Sequence, residues 1–330
     1  MSDRQATSAG VETPPAAMPV IASRLSITRR QLGDSPLRLY PVALGCGTFG
    51  WAADERRSSE ILDAFIEGGG NFIDASCAHR DGRSEHAVGA WVKGSGLREH
   101  VLLGTTIGRH HDLTQQPARV IAHAVDTALS RLQTDYLDLL AVRIPAETCE
   151  ETLVTVDDLV RSGKVRHVAA DTPTADQLVE ARVLSGQLGI VPLAAVQARY
   201  NLVQRAGFET GLLRMVALQN SGFLARHPLA GGILSGRQRS RQELDKLSRA
   251  GSPASVSPRR RAAILAALTR VGGDVSASVS RVALAWLLGR ANVTAAVVSA
   301  SDPDQIRDSL AAVGTVLSRG HVADLDRASR

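Results

Sequence analysis

Aromatic residues make up only 3% of this 330-residue chain, and Lys93, Lys164 and Lys246 are its only lysines. With so few rings and no basic stripe, no surface for stacking nucleic-acid bases is expected. Cys46, Cys77 and Cys149 are too few and too scattered for a disulfide framework or a spaced zinc site. No apolar run approaches the roughly 18 residues of a membrane span, and the start lacks the basic-then-apolar order of a signal peptide. The net charge of +5 is modest and reads as an Arg-rich solvated surface. A cytoplasmic protein with no membrane or nucleic-acid partner is therefore expected. Residues 1–25, rich in Ala, Pro, Ser and Thr, read as a disordered tail.

What the chain does have is a repeating alternation. Short apolar runs lie at 42–44, 71–74, 101–105, 136–142, 165–169, 193–197, 222–225 and 293–298. Helical patterns fill the gaps at 58–68, 84–92, 117–132, 150–162, 174–185, 208–220 and 258–271. Uninterrupted apolar strands mark a parallel sheet buried on both faces. Eight of them alternating with amphipathic helices suit an α/β fold, a (β/α)8 TIM barrel over residues 26–330. The 44% hydrophobic content is enough for one large core of that kind.

Local signals agree with this reading. Pro117 suits a first helical turn, Gly163 a helix stop, and Thr174 with Gln177 a capping box. Val125, Asp126, Ala128, Leu129 and Leu132 have the spacing of one packed helix face. Residues 26–44, centred on Gly33-Asp34, read as a hairpin closing the barrel's N-terminal end. The Arg- and Ser-rich stretch 236–258 reads as a loop over the opposite mouth.

Six motifs follow one another along this frame. They are Leu44-Gly45-Cys46-Gly47-Thr48-Phe49-Gly50, Asn71-Phe72-Ile73-Asp74, the run from Leu129 to Leu139, and Gly163-Lys164-Val165-Arg166. Then come Gln197 with Tyr200-Asn201-Leu202, and the run from Pro228 to Gly236. In this order and spacing the chain resembles the aldo-keto reductases from about Ser26 to Gly314. The resemblance implies a barrel whose mouth carries Asp, Tyr, Lys and His. Hydride from NADPH would reach a carbonyl carbon there while the tyrosine hydroxyl, tuned by its neighbours, protonates the oxygen.

Matched residue by residue, Asp74 keeps the aspartate, but His79 stands for the tyrosine, Thr106 for the lysine and Arg143 for the histidine. The resemblance also implies cofactor contacts that have altered. Asp171-Thr172 replaces a Ser-Asn pair that would hold the nicotinamide amide. Gln197, Leu229 and Gln305 persist. His227 replaces a serine, and Ser299-Ala300-Ser301 replaces a Gly-Ala-Arg whose arginine would grip a 2′-phosphate. NADP(H) or NAD(H) is thus a cofactor implied by the resemblance alone, with no metal.

The altered residues admit two readings. One is a homologue without conventional carbonyl reduction, serving a binding or regulatory role; the family includes regulatory subunits such as the modifier subunit of glutamate–cysteine ligase. The other is an enzyme with rebuilt chemistry. That would be an atypical NAD(P)H-dependent oxidoreductase, or a non-redox catalyst using His79, Arg143 and Asp74 on an anionic small molecule. A small-molecule ligand and a protein partner are both open. Arg109-His110-His111-Asp112 and Cys77 read more simply as solvent-facing and structural than as a metal site and a nucleophile.

Overall fold

The computed structural model describes residues 29–75, 82–107, 118–236 and 256–330. The tail, Cys77, His79, Arg109–Asp112, Pro117 and most of the stretch 236–258 lie outside them. The eight expected strands all form. They are β3 (Val42–Gly45), β4 (Phe72–Asp74), β5 (Leu102–Ile107), β6 (Leu137–Val142), β7 (Val165–Asp171), β8 (Ala195–Arg199), β9 (Gly222–Arg226) and β10 (Ala295–Val298). Every pairing is parallel, and the ring closes in the order β10-β3-β4-β5-β6-β7-β8-β9.

Helices α1 (Glu55–Glu67), α2 (Arg83–Ser95), α3 (Ala118–Leu132), α4 (Cys149–Arg161) and α5 (Ala175–Leu188) occupy the expected gaps. After them come a π-turn (Phe208–Leu212) running into α6 (Leu213–Leu218), then α7 (Pro258–Val275), α8 (Val279–Leu288), α9 (Pro303–Ala311) and α10 (Arg319–Ser329). The capping box of Thr174 with Gln177 opens α5, each side chain bonding the other residue's backbone N–H. On α3, Val125, Ala128, Leu129 and Leu132 are buried, but Asp126 is not on that face. It is exposed and pairs with Lys164 at 2.6 Å. No single helix among the described residues is long and apolar enough to cross a membrane.

Two cores result from strand alternation. Outward residues of the sheet pack under the helices in one large cluster. Inward residues form a second cluster of Ala43, Phe72, Leu139, Ala141, Ala169, Ala195, Leu224, Ala295 and Val297. Most of these are small, and the Phe72 ring takes the space they leave. A Cβ at Gly104 would meet that ring at 2.8 Å and the Leu139 carbonyl at 3.0 Å, so only glycine fits there.

The floor is a hairpin of β1 (Arg30–Gln31) and β2 (Arg38–Leu39), antiparallel as expected. Leu32 and Leu39 are fully buried in the inner cluster and plug the N-terminal end. Gly33 turns the chain at φ +56°, with a would-be Cβ only 2.6 Å from the Ala194 carbonyl. Asn71 ties the hairpin down, its Oδ1 accepting from the Tyr40 backbone N–H at 2.7 Å and its Nδ2 donating to the Arg38 carbonyl at 2.8 Å.

On the outside, α10 is fastened by Asp326. One of its oxygens accepts from Arg205 Nη1 at 2.9 Å, from Trp286 Nε1 at 3.0 Å and from Arg290. Asp326→Ala would leave the largely buried guanidinium of Arg290 without its anion and Arg205 with Glu209 alone. We expect a loss of about 3 kcal/mol in urea unfolding. A loss under about 1 kcal/mol would mean that apolar contacts alone hold the helix.

His167 on β7 gives a pH dependence. Burial holds its imidazole below the ordinary 6.5, so the unfolded chain takes up the proton more readily. The stability linked to it is therefore complete above about pH 6.5 and is lost as pH falls through and below that value. Thermal melts of His167→Gln should show a smaller drop between about pH 7 and pH 5 than the unmodified chain; an identical drop would assign it elsewhere.

Candidate functional site

The strand ends opposite the hairpin form the mouth, and alternation decides which side chains enter it. At the end of β4, Asp74 is 4% exposed and faces inward, two residues after Phe72. Gln197 on β8, four strands round the ring, is also buried, and its Nε2 donates to Asp74 Oδ2 at 3.2 Å. Only side chains inside the barrel can meet across it. The retained aspartate is thus tied to the retained glutamine, in a setting where charge-assisted hydrogen bonds are strong.

A second inward pair lies beside the first. Asp171 ends β7, and its carboxylate is 3.5 Å from Nη1 of Arg226, at the end of β9. β8 lies between these strands, so the arginine reaches over it on the inner face. Thr172 follows at φ +50°, its N–H donating to the Gln197 carbonyl at 2.7 Å. This left-handed conformation in a β-branched residue carries strain of about 1 kcal/mol or more and turns the chain sharply off β7.

The remaining expected residues fall as follows. Thr105 faces outward and donates to Glu85 on α2 at 3.1 Å, and Arg131 grips the same carboxylate at 3.1 Å. Thr106 is therefore inward, beside Ala141. Arg143 is exposed just beyond β6; Val142 and Ile144 on either side belong to the outer core, which directs Arg143 to the mouth. His227, at φ +49°, is exposed, and its carbonyl accepts from Asn201 Nδ2 at 2.9 Å. Leu229, three residues beyond the end of β9, is half-buried and packs against the outer core. Ser299 is exposed at the end of β10. The Ser301 N–H donates to Gln305 Oε1 at 3.1 Å, and Gln305 Nε2 donates back to Ser301 Oγ at 3.1 Å.

Two inward arginines were not among the sequence candidates: Arg199 and Arg226. The signal was present, since each stands two positions after an inward residue, Gln197 and Leu224. They are also register partners on adjacent strands. Among the described residues, no three His, Cys, Asp or Glu side chains gather to hold a metal. Cys46 is fully buried beside Asp74, and burial together with that charge pushes its thiol well up, which leaves it inert as a nucleophile.

The residues present do not fit the 2′-phosphorylated nicotinamide cofactor that the resemblance implies. A carboxamide needs a donor and an acceptor together, whereas Asp171 only accepts and is already bound by Arg226. At the start of α9, the place of the phosphate-gripping cation is taken by Ser301, followed by the carboxylate of Asp302. That carboxylate caps the helix by accepting from the Gln305 N–H at 3.0 Å. An anion would meet like charge there.

The described tyrosines and lysines lie away from the mouth. Tyr136 sits at the floor end under Arg98, whose guanidinium is 3.8 Å from its ring centre. Tyr200 is buried behind β8 against Phe208 and donates to Glu209 at 2.8 Å. Burial and that bond push its hydroxyl well above 10. Tyr40 follows β2 at the floor, and Lys93 lies in the last turn of α2.

Comparison with known proteins agrees with this geometry. Norsolorinic acid reductase A of Aspergillus parasiticus is 26% identical over 312 residues, covering 88% of this chain and 78% of its own. A probable voltage-gated potassium channel subunit beta of Oryza sativa subsp. japonica is 25% identical, covering 87% and 91%. An uncharacterised oxidoreductase of Bacillus subtilis is 26% identical, covering 87% and 91%. The model of the Aldo/keto reductase family matches residues 41–330, the whole of the closed barrel and its helices. The chain belongs to that family.

Proposed function

We propose that this barrel is an aldo-keto reductase homologue that has given up conventional carbonyl reduction and serves as a binding or regulatory protein. The observation that carries the reading is the replacement of proton-handling groups at the mouth. The strand ends matched to the family's lysine and histidine carry Thr106 and Arg143. A threonine hydroxyl cannot tune a neighbouring acid electrostatically as an ammonium does, and a guanidinium does not release its proton at neutral pH.

Asp74 keeps a role without catalysis. Its hydrogen bond with Gln197 links opposite walls of the barrel near the mouth. The match at similar identity to reductases and to probable potassium channel β subunits is consistent with a barrel put to more than one use.

The test is spectrophotometric. The purified chain, mixed with NADPH and a panel of aliphatic and aromatic aldehydes, should oxidise no cofactor above the blank. Titration with NADPH should leave Trp emission unquenched. Turnover of ordinary aldehydes at rates typical of the family would overturn the proposal. A His79→Tyr, Thr106→Lys, Arg143→His triple variant should also stay inactive, because the cofactor contacts at Asp171 and Ser301 are altered too; robust reduction by it would place the whole loss in the proton-transfer groups. Separately, Gln197→Leu removes the amide that holds Asp74. It should lower unfolding free energy by about 2 kcal/mol, read by chemical denaturation. No change would mean that the Asp74 carboxylate is equally well satisfied without Gln197.

A further inference from the structure

Among the described residues, three arginines stand against two carboxylates, Asp74 and Asp171, at the strand ends of the mouth. Arg143 directly follows β6, and the next three strands, β7 to β9, end in Asp171, Arg199 and Arg226. Arg199 is flanked by Ala198 and Tyr200, both in the outer core, so alternation points it inward. Arg226 shares the inner face with Asp171, to which it is paired. Arg199 and Arg226 are register partners, which puts their backbones about 4.8 Å apart. Like charges placed so close on one face of a sheet repel unless something anionic lies between or above them.

Among the described residues, both strand-end carboxylates already have partners. Asp171 is taken by Arg226, and Asp74 by Gln197 across the barrel. Among the described residues, neither Arg143 nor Arg199 has an ion pair, and both are exposed. β6 and β8 are separated by β7 alone, and Arg199 stands two residues further along than Arg143, so these two side chains start roughly 12 Å apart and can converge on one small group. Beneath Arg143 the wall carries Ala141 and Ala169, and beneath Arg226 Leu224, while Gln197 lies beneath Arg199.

From this arrangement we infer that the mouth binds a small organic anion, its carboxylate or phosphate group held between Arg199 and Arg143. Arg226, paired with Asp171, flanks the site without adding net charge to it. A planar guanidinium matches the paired oxygens of either group, which is why the oxyanion class rather than one acid is specified. The patch of Ala141, Ala169 and Leu224 suits a short carbon skeleton. This inference rests on the proposal that the mouth is no longer a conventional reductase site, and it names the class of ligand that the rebuilt site takes.

The test is calorimetric titration of the full chain, without cofactor, at low salt. The probes are succinate, inorganic phosphate and the uncharged succinamide. Succinate or phosphate should bind and succinamide should not. Arg199→Gln and Arg143→Gln, at exposed positions that leave the fold intact, should each weaken binding at least about tenfold. Arg199→Lys should recover part of the loss. Arg182→Gln, an exposed arginine on α5, should change nothing. Binding of succinate alone or phosphate alone supports the site and identifies the oxyanion. Failure of both anions to bind, or unchanged binding in Arg199→Gln and Arg143→Gln, overturns it. Because no cofactor is present, that failure is distinct from aldehyde turnover with NADPH, which bears only on the loss of reductase activity.

Discussion

Closure of the sheet is the constraint on which everything else depends. In an open sheet a side chain can change its surroundings by shifting register or sliding to an edge. Here each strand is paired on both sides, so every residue faces either the helices or the interior. The two apolar clusters follow from that rule, and so does the content of the mouth. Placing Arg143, Arg199 and Thr106 inside requires only that their neighbours lie outside.

The interior shows how a barrel accommodates charge. Its lower levels are filled by alanines, leucines and a valine around a single phenylalanine ring. Polar groups begin one level higher and come in partnered sets: Asp74 with Gln197, and Asp171 with Arg226. Both pairs cross at least one strand. Each therefore restrains the barrel laterally as well as supplying a charge, and in a weakly hydrated space an unpartnered member would be costly.

Much of this architecture was legible in the amino-acid sequence because parallel strands buried on both faces give uninterrupted apolar runs. All eight such runs became barrel strands, and the hairpin with Gly33 at its turn formed the floor. Asp126 was misassigned because a spacing of three and four residues includes positions on the edge of a helical stripe. Its carboxylate instead sits in solvent with Lys164. At the mouth, matching against a known pattern directed attention to positions where a residue had been replaced. Arg199 and Arg226 fell outside that pattern, although simple alternation from Gln197 and Leu224 reached them. The partnership of Asp171 with Arg226 spans 55 positions in sequence and depends on ring geometry, which no local signal encodes.

The hairpin floor has one more effect. Among the described residues, Leu32 and Leu39 wedge into the bottom, Gly33 presses against the neighbouring backbone, and that end is closed. Anything that visits the interior must arrive and depart by one doorway. Guanidinium groups standing there would act as a gatekeeper in both directions, hastening the approach of negatively charged visitors and retarding their escape while turning cations away.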